Sequence, residues 1–437
     1  MSKKTVAMHN LGCKVNAYEM EHIADSLQES GYKIVPFEDK ADFYIINTCS
    51  VTNIADRKSR QMLHRAKKEN PDAVVIAAGC YVNTRGEDNV LADGIDIVVP
   101  NEEKKNMVDI IHSWEESHSN ESLSDESDLH PDESPVSAYE RDHAPAEGGY
   151  TRSFLKVQDG CNMFCSYCII PYARGRIKSR TIADVTEEVK SLISKGYHEF
   201  IVTGIHLSSF GKDRPDDHED LMDLLRAIDA IPGADRIRMG SLEPRIITDE
   251  FAAALAEIPS ICPQFHLSLQ SGCDSVLKRM NRHYTAQEFL DGVERLRRVF
   301  KDPAITTDVI VGFPGETQEE FEETHSFLKN ISFYETHIFP YSRRKGTPAD
   351  RMPGQLSRAE KHDRLVILSD LNVKNKTAFQ NIWTDGRTVE VLIEDNNEGY
   401  TREYVRVRSV SPLPSGAIVR GRITGRIDAD TMEFTPA

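Results

Sequence analysis

The stretch Cys161-Asn-Met-Phe-Cys165-Ser-Tyr-Cys168 constrains this chain more than any other. It follows directly on Phe154-Leu-Lys-Val-Gln-Asp-Gly, whose alternation predicts a strand. Three thiolates this close together can hold three irons of a [4Fe–4S] cube and leave the fourth iron without a protein ligand. Such an open position is what a reactive metal site needs. A structural zinc site wants four protein ligands. Here no fourth cysteine or histidine follows at finger spacing, and the next histidine, His198, lies 30 residues beyond Cys168. Lys156, Gln158, Asp159 and Asn162 make the segment too polar for inert buried cysteines.

The strand before this loop opens a repeating pattern. Candidate strands Phe154–Val157, Glu199–Thr203, Arg236–Gly240, Phe265–Leu269, Ile305–Val311 and His337–Phe339 alternate with amphipathic helices such as Asp184–Lys195 and Thr285–Val299. Six strand–helix units over 148–375 predict a partial (βα)6 barrel. Residues 1–112 alternate in the same way, with strands Thr5–His9, Phe43–Asn47, Val74–Ala77 and Ile95–Val98 and helices Tyr18–Ser30 and Ala55–Glu69. An open parallel α/β sheet is expected there. Residues 376–437 change character. Thr388–Ile393, Tyr404–Val410 and Ala417–Ile423 read as short strands between turn-rich segments, the pattern of a small β barrel.

Between the two α/β regions, residues 113–147 hold eleven Asp or Glu against one Arg and few large apolar residues, and read as an acidic linker. Removing this segment's net −10 from the chain's −17 leaves −7 for the remainder. The overall charge therefore does not veto a nucleic-acid partner. No run of about 18 apolar residues is present, and the N-terminus lacks a secretory signal, so a cytoplasmic protein with no membrane span is expected. In such a chain clustered cysteines serve metals or chemistry more often than disulfides.

Three further cysteines, Cys13, Cys49 and Cys80, each follow a predicted strand of the N-terminal region. Residues just past the carboxyl ends of parallel strands converge on one crevice. The three thiolates could meet there around a second cluster; this argument alone equally allows ordinary half-buried cysteines. Cys262 and Cys273 are read as structural. Residues 402–426 hold Arg402, Arg406, Arg408, Arg420, Arg422 and Arg426 against only Glu403, and no lysine occurs in 377–437. Strand periodicity puts Arg406 with Arg408, and Arg420 with Arg422, on solvent-facing sides. Such a surface suits phosphates and stacked bases, or is a solvated strand face.

The Cys-x3-Cys-x2-Cys loop after the first barrel strand resembles the radical S-adenosylmethionine (SAM) superfamily. The resemblance implies that SAM chelates the open iron and is cleaved to a 5′-deoxyadenosyl radical. It places Tyr167 near the adenine, and Gly204 in the segment that receives the SAM amino group, although that segment's acidic residue is absent here. It brings Ser268 and Gln270 toward the ribose, and Val309 into the fifth-strand stretch that packs on the adenine. Leu11-Gly-Cys-Lys-Val-Asn16, Asn47-Thr-Cys-Ser-Val51 and Ala78-Gly-Cys80 resemble the cluster-binding segments of the methylthiotransferases, radical SAM enzymes with an auxiliary cluster. Residues 402–426 resemble the RNA-binding TRAM domain.

The family resemblance covers nearly the whole chain. It implies two [4Fe–4S] clusters and SAM, with the Cys13, Cys49 and Cys80 cluster carrying the sulfur and the Cys161, Cys165 and Cys168 cluster making the radical. It further implies a sulfur source and an electron donor such as flavodoxin or ferredoxin. Gly12–Tyr18 and Thr203–Leu207 look most like the branch that converts N6-threonylcarbamoyladenosine at position 37, in the anticodon loop of tRNA, to its 2-methylthio derivative. The isopentenyladenosine branch and a ribosomal-protein branch are the alternatives within the family. A non-catalytic iron–sulfur RNA-binding protein is the alternative outside it.

Overall fold

The computed structural model describes residues 3–91, 94–118 and 151–437. They divide into two compact units: the described residues up to 118 with Tyr172–Arg174, and the described residues from 151 on without those three.

The first unit is built on strands β1 (Thr5–Asn10), β2 (Lys33–Val35), β3 (Phe43–Thr48), β4 (Val74–Gly79) and β5 (Ile97–Val99). They form one parallel sheet in the order β2-β1-β3-β4-β5. The central strands Phe-Tyr-Ile-Ile-Asn-Thr and Val-Val-Ile-Ala-Ala-Gly are buried at every position, as expected when helices cover both faces. Alternate residues separate the two cores. Ala7, Tyr44, Ile46, Val75 and Ala77 pack with Met62, Leu63 and Ala66 of helix Asn53–Glu69. Val6, Phe43, Ile45, Val74 and Ile76 pack with Met20, Ile23 and Leu27 of helix Lys14–Glu29.

The second unit opens with β6 (Arg152–Asp159), β7 (Lys178–Ser179), β8 (Glu199–Gly204) and β9 (Arg236–Met239), in the order β7-β6-β8-β9. A second sheet, β10 (Gln264–His266), β11 (Ala304–Val311) and β12 (Glu335–Pro340), continues it through the parallel bridges Ile237 to Ile261 and Leu242 to Leu267. The six parallel strands β6, β8, β9, β10, β11 and β12 make the expected partial barrel. Its outer layer of helices packs on residues such as Phe200, Ile237, Phe265 and Val309. Helix starts follow local chemistry: Thr285 with Glu288, Thr317 with Glu320 and Ser357 with Glu360 each satisfy the first-turn amides reciprocally.

Strands β13 (Thr388–Ile393), β14 (Glu398–Thr401), β15 (Arg406–Ser409), β16 (Ile418–Arg426) and β17 (Met432–Pro436) close into a small barrel around Val391, Val407, Ile423 and Phe434. A buried charge network ties it to the larger barrel. Glu199 pairs with Arg236 at 2.8 Å and Arg238 at 3.1 Å. The same guanidinium groups donate to the carbonyls of Tyr400, Thr401 and Arg402.

Two expected boundaries move. Helix Met107–His118 runs through residues 113–118, whose composition reads as acidic linker; Ile111 anchors it in the core. The rest of that segment, 119–147, lies outside the described residues. The boundary expected at 376 falls within helix Arg358–Asn381, which carries on without a break. Strands β2, β7, β14 and β17 were not anticipated. Each is short, and β14 begins in the Asp395–Gly399 stretch that reads as a turn.

Candidate active site

In the second unit the three-cysteine loop leaves β6 through Gly160, at φ 68°. A Cβ there would stand 1.9 Å from the carbonyl oxygen of Arg176, so the chain passes too close for any side chain. The loop is then clamped by its backbone. Cys161 N–H donates to Gly175, Ser166 N–H to Met280, and Cys168 N–H back to Cys165. Phe164 adopts φ 48°, its carbonyl accepts from Asn281 Nδ2 at 3.0 Å, and Arg176 lies over its ring. Cys165 is buried, while Cys161 and Cys168 are half-buried. Burial pushes the Cys161 thiol up and the Cys168 thiol up to about 12, with Cys165 adding to both. Free thiols so placed resist ionisation, and a bound metal would offset that cost.

The SAM-side residues are placed as follows. Tyr167 packs edge-on to Phe313 in a cluster that includes Ile310. Gly204 ends β8 against Gln158, whose Oε1 accepts from His206 N–H at 2.8 Å. Ser268 and Gln270 follow β10. Gln270 holds φ 71°, a conformation uncommon for a non-glycine residue, and bridges to Val309. Val309 departs from expectation: its side chain is fully buried in the helix-covered core with Phe321 and Leu328. Strand alternation gives Ile310, not Val309, the face shared with Tyr167.

In the first unit Cys13, Cys49 and Cys80 follow β1, β3 and β4, three adjacent parallel strands. Asn16 Nδ2 donates to the carbonyls of Leu11 and Thr48, at 2.6 and 3.2 Å, and so fixes the first two loops to each other. Ser59 Oγ both accepts from Cys49 N–H and donates to its carbonyl, each at 3.1 Å. Gly79, at φ 103°, lets the third strand turn: a Cβ there would meet the Thr48 carbonyl oxygen at 2.4 Å. Burial pushes the Cys49 thiol up to about 12, and Cys80 and Cys13 both contribute.

Neither sulfur set is drawn together as a single tetrahedral ion would require. A tetrahedral zinc would draw its sulfurs to about 4 Å from one another, given Zn–S bonds near 2.3 Å. Among the described residues, the only His, Cys, Asp or Glu set with three ligand atoms within 4.8 Å of one another is His266, Asp308 and His337, and neither cysteine triad is so tight. A cube instead spreads its sulfur ligands, one to each iron.

The arginines of the small barrel divide. Arg402 donates to the carbonyls of Pro259 and Ile261, at 2.6 and 2.8 Å, and so works as a seam between the barrels. Arg406 and Arg408 share Glu398. Arg420 keeps 78% of its side-chain surface exposed, and Arg422 is exposed beside it on the strand. Two features escaped the sequence reading. Arg282 Nη1 reaches Cys165 Sγ at 3.2 Å from more than a hundred residues away. The His266, Asp308 and His337 group is spread over three strands, and only barrel register could have revealed it.

Comparison with known proteins accords with this geometry. Residues 155–328 match the radical SAM superfamily, and residues 5–100 match the uncharacterized protein family UPF0004. The chain is 41% identical over 412 residues to a threonylcarbamoyladenosine tRNA methylthiotransferase of Bacillus subtilis, covering 92% of this chain and 90% of that one. It is 36% identical to the enzyme of the same name from Aquifex aeolicus, over 95% of this chain and 99% of that one. It is 34% identical to a tRNA-2-methylthio-N(6)-dimethylallyladenosine synthase of Clostridium perfringens, over 90% and 87%. The radical SAM methyltransferase TsrM of Kitasatospora setae shares the fold at a TM-score of 0.55 and 17% identity, covering 80% of this chain and 74% of that one.

Proposed function

The chain belongs to the methylthiotransferase family of radical SAM enzymes, and we propose that its substrate is N6-threonylcarbamoyladenosine at position 37 of tRNA, which it converts to the 2-methylthio derivative. The observation that carries this reading is the pair of cysteine triads, one in the loop that leaves β6 and one following the parallel strands β1, β3 and β4, in a chain with full-length relatives of that name.

Cys161, Cys165 and Cys168 would hold one [4Fe–4S] cluster and Cys13, Cys49 and Cys80 a second, each with one iron left to a non-protein ligand. When bound, these clusters and SAM supply the electron, the radical and the sulfur that acid–base chemistry cannot bring to an unactivated adenine C2–H.

The protein's own residues bind and orient. Arg282 donates to Cys165 Sγ and to the Ser268 carbonyl, and so holds the loop against the end of β10. Tyr284, itself bonded to Arg282, donates to the carbonyls of Ser268 and Leu269. This fixes Ser268 and Gln270 where a SAM ribose is expected. Tyr167, with Ile310 beside it, offers an apolar wall for the adenine, and the Gly204 backbone, packed against Gln158, would receive the methionine end. Arg406, Arg408, Arg420 and Arg422 supply the basic face for RNA phosphates, with Arg402 holding the small barrel in place. The protein would work in the cytoplasm with a low-potential donor such as flavodoxin or ferredoxin and a sulfur source. Among the described residues no helix is long and apolar enough to cross a membrane.

The test is anaerobic incubation of the reconstituted protein with SAM, reductant and tRNA, followed by nucleoside mass spectrometry. The 2-methylthio product should form on tRNA bearing threonylcarbamoyladenosine. Modification only of isopentenyladenosine tRNA would move the chain to the neighbouring branch, and modification of a ribosomal protein would remove it from tRNA altogether.

A further inference from the structure

We propose that His266, Asp308 and His337 form a divalent-cation site on the inner face of the (βα) barrel, distinct from both cysteine triads.

The three residues sit on neighbouring parallel strands. In the ladder His266 stands beside Thr306, and Asp308 beside His337. Thr306 and Asp308 are two apart on β11 and so share a face. The opposite face, with Ile305, Val309 and Val311, is sealed under the helices by Phe321 and Leu328. The three polar residues therefore converge on the uncovered side. Their ligand atoms lie within 4.8 Å of one another. His266 Nε2 is 3.4 Å from Asp308 Oδ2, and the His266 and His337 rings stack 25° from parallel with centroids 5.8 Å apart.

The orientation of His266 suits a ligand. Its Nδ1 is engaged with Thr306 Oγ1 at 3.0 Å, which leaves Nε2 as the ring nitrogen facing the group. That Nε2 is buried and has no hydrogen-bond partner. A second partner fixing the non-ligating nitrogen is the usual arrangement around metal-binding imidazoles. A His–Asp ion pair would use two of these groups, whereas a metal ion uses all three. Asp308 retains 31% of its side-chain surface and His337 is exposed, so a hydrated ion can enter. Two imidazoles and one carboxylate favour a first-row divalent ion such as Mn2+, Fe2+ or Zn2+, with coordination positions left for an oxygen-donor anion.

The probe is Mn2+ alone, added to the cluster-loaded protein with both clusters in the oxidised, EPR-silent state and no RNA present. Loss of the free-ion EPR signal counts bound ions. One Mn2+ per chain is expected, displaced by Zn2+, and bound about tenfold more weakly or worse in His337→Ala and Asp308→Asn. Asp308→Glu, which keeps the carboxylate, should retain binding. Iron content equal to wild type shows that each variant has folded, and the exposed position of His337 makes its replacement the most easily tolerated. A wild-type protein that takes up no stoichiometric Mn2+ overturns the site. So does undiminished binding by His337→Ala.

Discussion

Nη1 of Arg282 donates to Sγ of Cys165 across 3.2 Å, so the middle thiol of the barrel loop carries a cationic partner. Arg282 is itself held by the Ser268 carbonyl and by Tyr284, and Tyr284 closes the same corner. A positive donor stabilises the thiolate and draws charge from any cluster bound to it. Arg282→Met should therefore shift that cluster to a more negative potential and slow reductive SAM cleavage by about 10-fold or more. EPR-monitored redox titration and 5′-deoxyadenosine formation would report the two effects. Arg282→Lys, which keeps the charge, should recover part of both. A potential unchanged in Arg282→Met would reduce the contact to packing.

The two triads predict different failures. Cys161→Ala should abolish both SAM cleavage and methylthiolated product. Cys49→Ala should abolish product while leaving uncoupled SAM cleavage. Iron analysis should give about eight irons per chain in wild type and about four after replacing either whole triad, as two cubes require. Normal product from purified Cys49→Ala protein would be incompatible with a role for the first unit's thiols.

How much of this was legible in the sequence follows from how local each signal is. The Cys161–Cys168 loop and its strand lie within one short stretch, and Gly160 before it marks the sharp exit from β6. Cys13, Cys49 and Cys80 are far apart in sequence, but each sits at a strand end, and the parallel order β1-β3-β4 sets those three strands side by side. Val309 was misplaced because a strand buried on one side and lined with polar groups on the other gives both of its faces similar sequence neighbours. Only the packing of Phe321 and Leu328 decides which face is which. Arg282, Asp308 and His337 carry no motif; long-range register alone gives them their meaning. The arginine run was read as one surface, yet the carbonyls that hold Arg402 belong to the larger barrel.

Glu199 is fully buried between Arg236 and Arg238. Burial works to raise its carboxyl, and Arg238, Arg236 and Arg152 outweigh it, holding the group at about 2. A carboxyl depressed in the folded state contributes stability above its unfolded value near 4.5, and that contribution is lost as pH falls toward 2. Glu199→Gln leaves the buried guanidinium groups without their anion and should cost about 3–5 kcal/mol in denaturant unfolding at neutral pH. The gap between wild type and variant should narrow as pH drops from about 4.5. A gap that holds constant down to pH 3 would mean that the loss is one of packing rather than charge.

His206 gives a second pH handle with its own window. Burial, reinforced by Arg282, Lys212 and Arg245, holds its imidazole down to about 4, so the folded protein keeps it neutral where an unfolded chain would protonate near 6.5. Protonation then favours the unfolded state, and stability should decline as pH falls from about 6.5 to about 4. His206→Gln, which retains a polar group for Ser209, should flatten that part of the profile in thermal melts. An unchanged slope would show that the acid sensitivity arises elsewhere.

The arginines of the small barrel should separate by what already holds them. Arg420 and Arg422 extend from β16 with their side chains exposed, and the ion pair of Arg420 with Glu390 is a loose 3.9 Å, so a phosphate can take them at little cost. Arg420→Ala and Arg422→Ala should each weaken tRNA binding and reduce the slope of log K against log salt by about 0.7–0.9, one phosphate contact apiece. Arg406 and Arg408 must share or surrender Glu398 to reach RNA, so their single alanine variants should change affinity less. Arg402→Ala should behave in the opposite way, leaving the salt slope unchanged while lowering stability, because its guanidinium is committed to Pro259 and Ile261. Filter binding across a salt series, paired with thermal melts of the same proteins, distinguishes the two classes. A salt slope that fell for Arg402→Ala as much as for Arg420→Ala would place the RNA across the seam rather than on the face of β16.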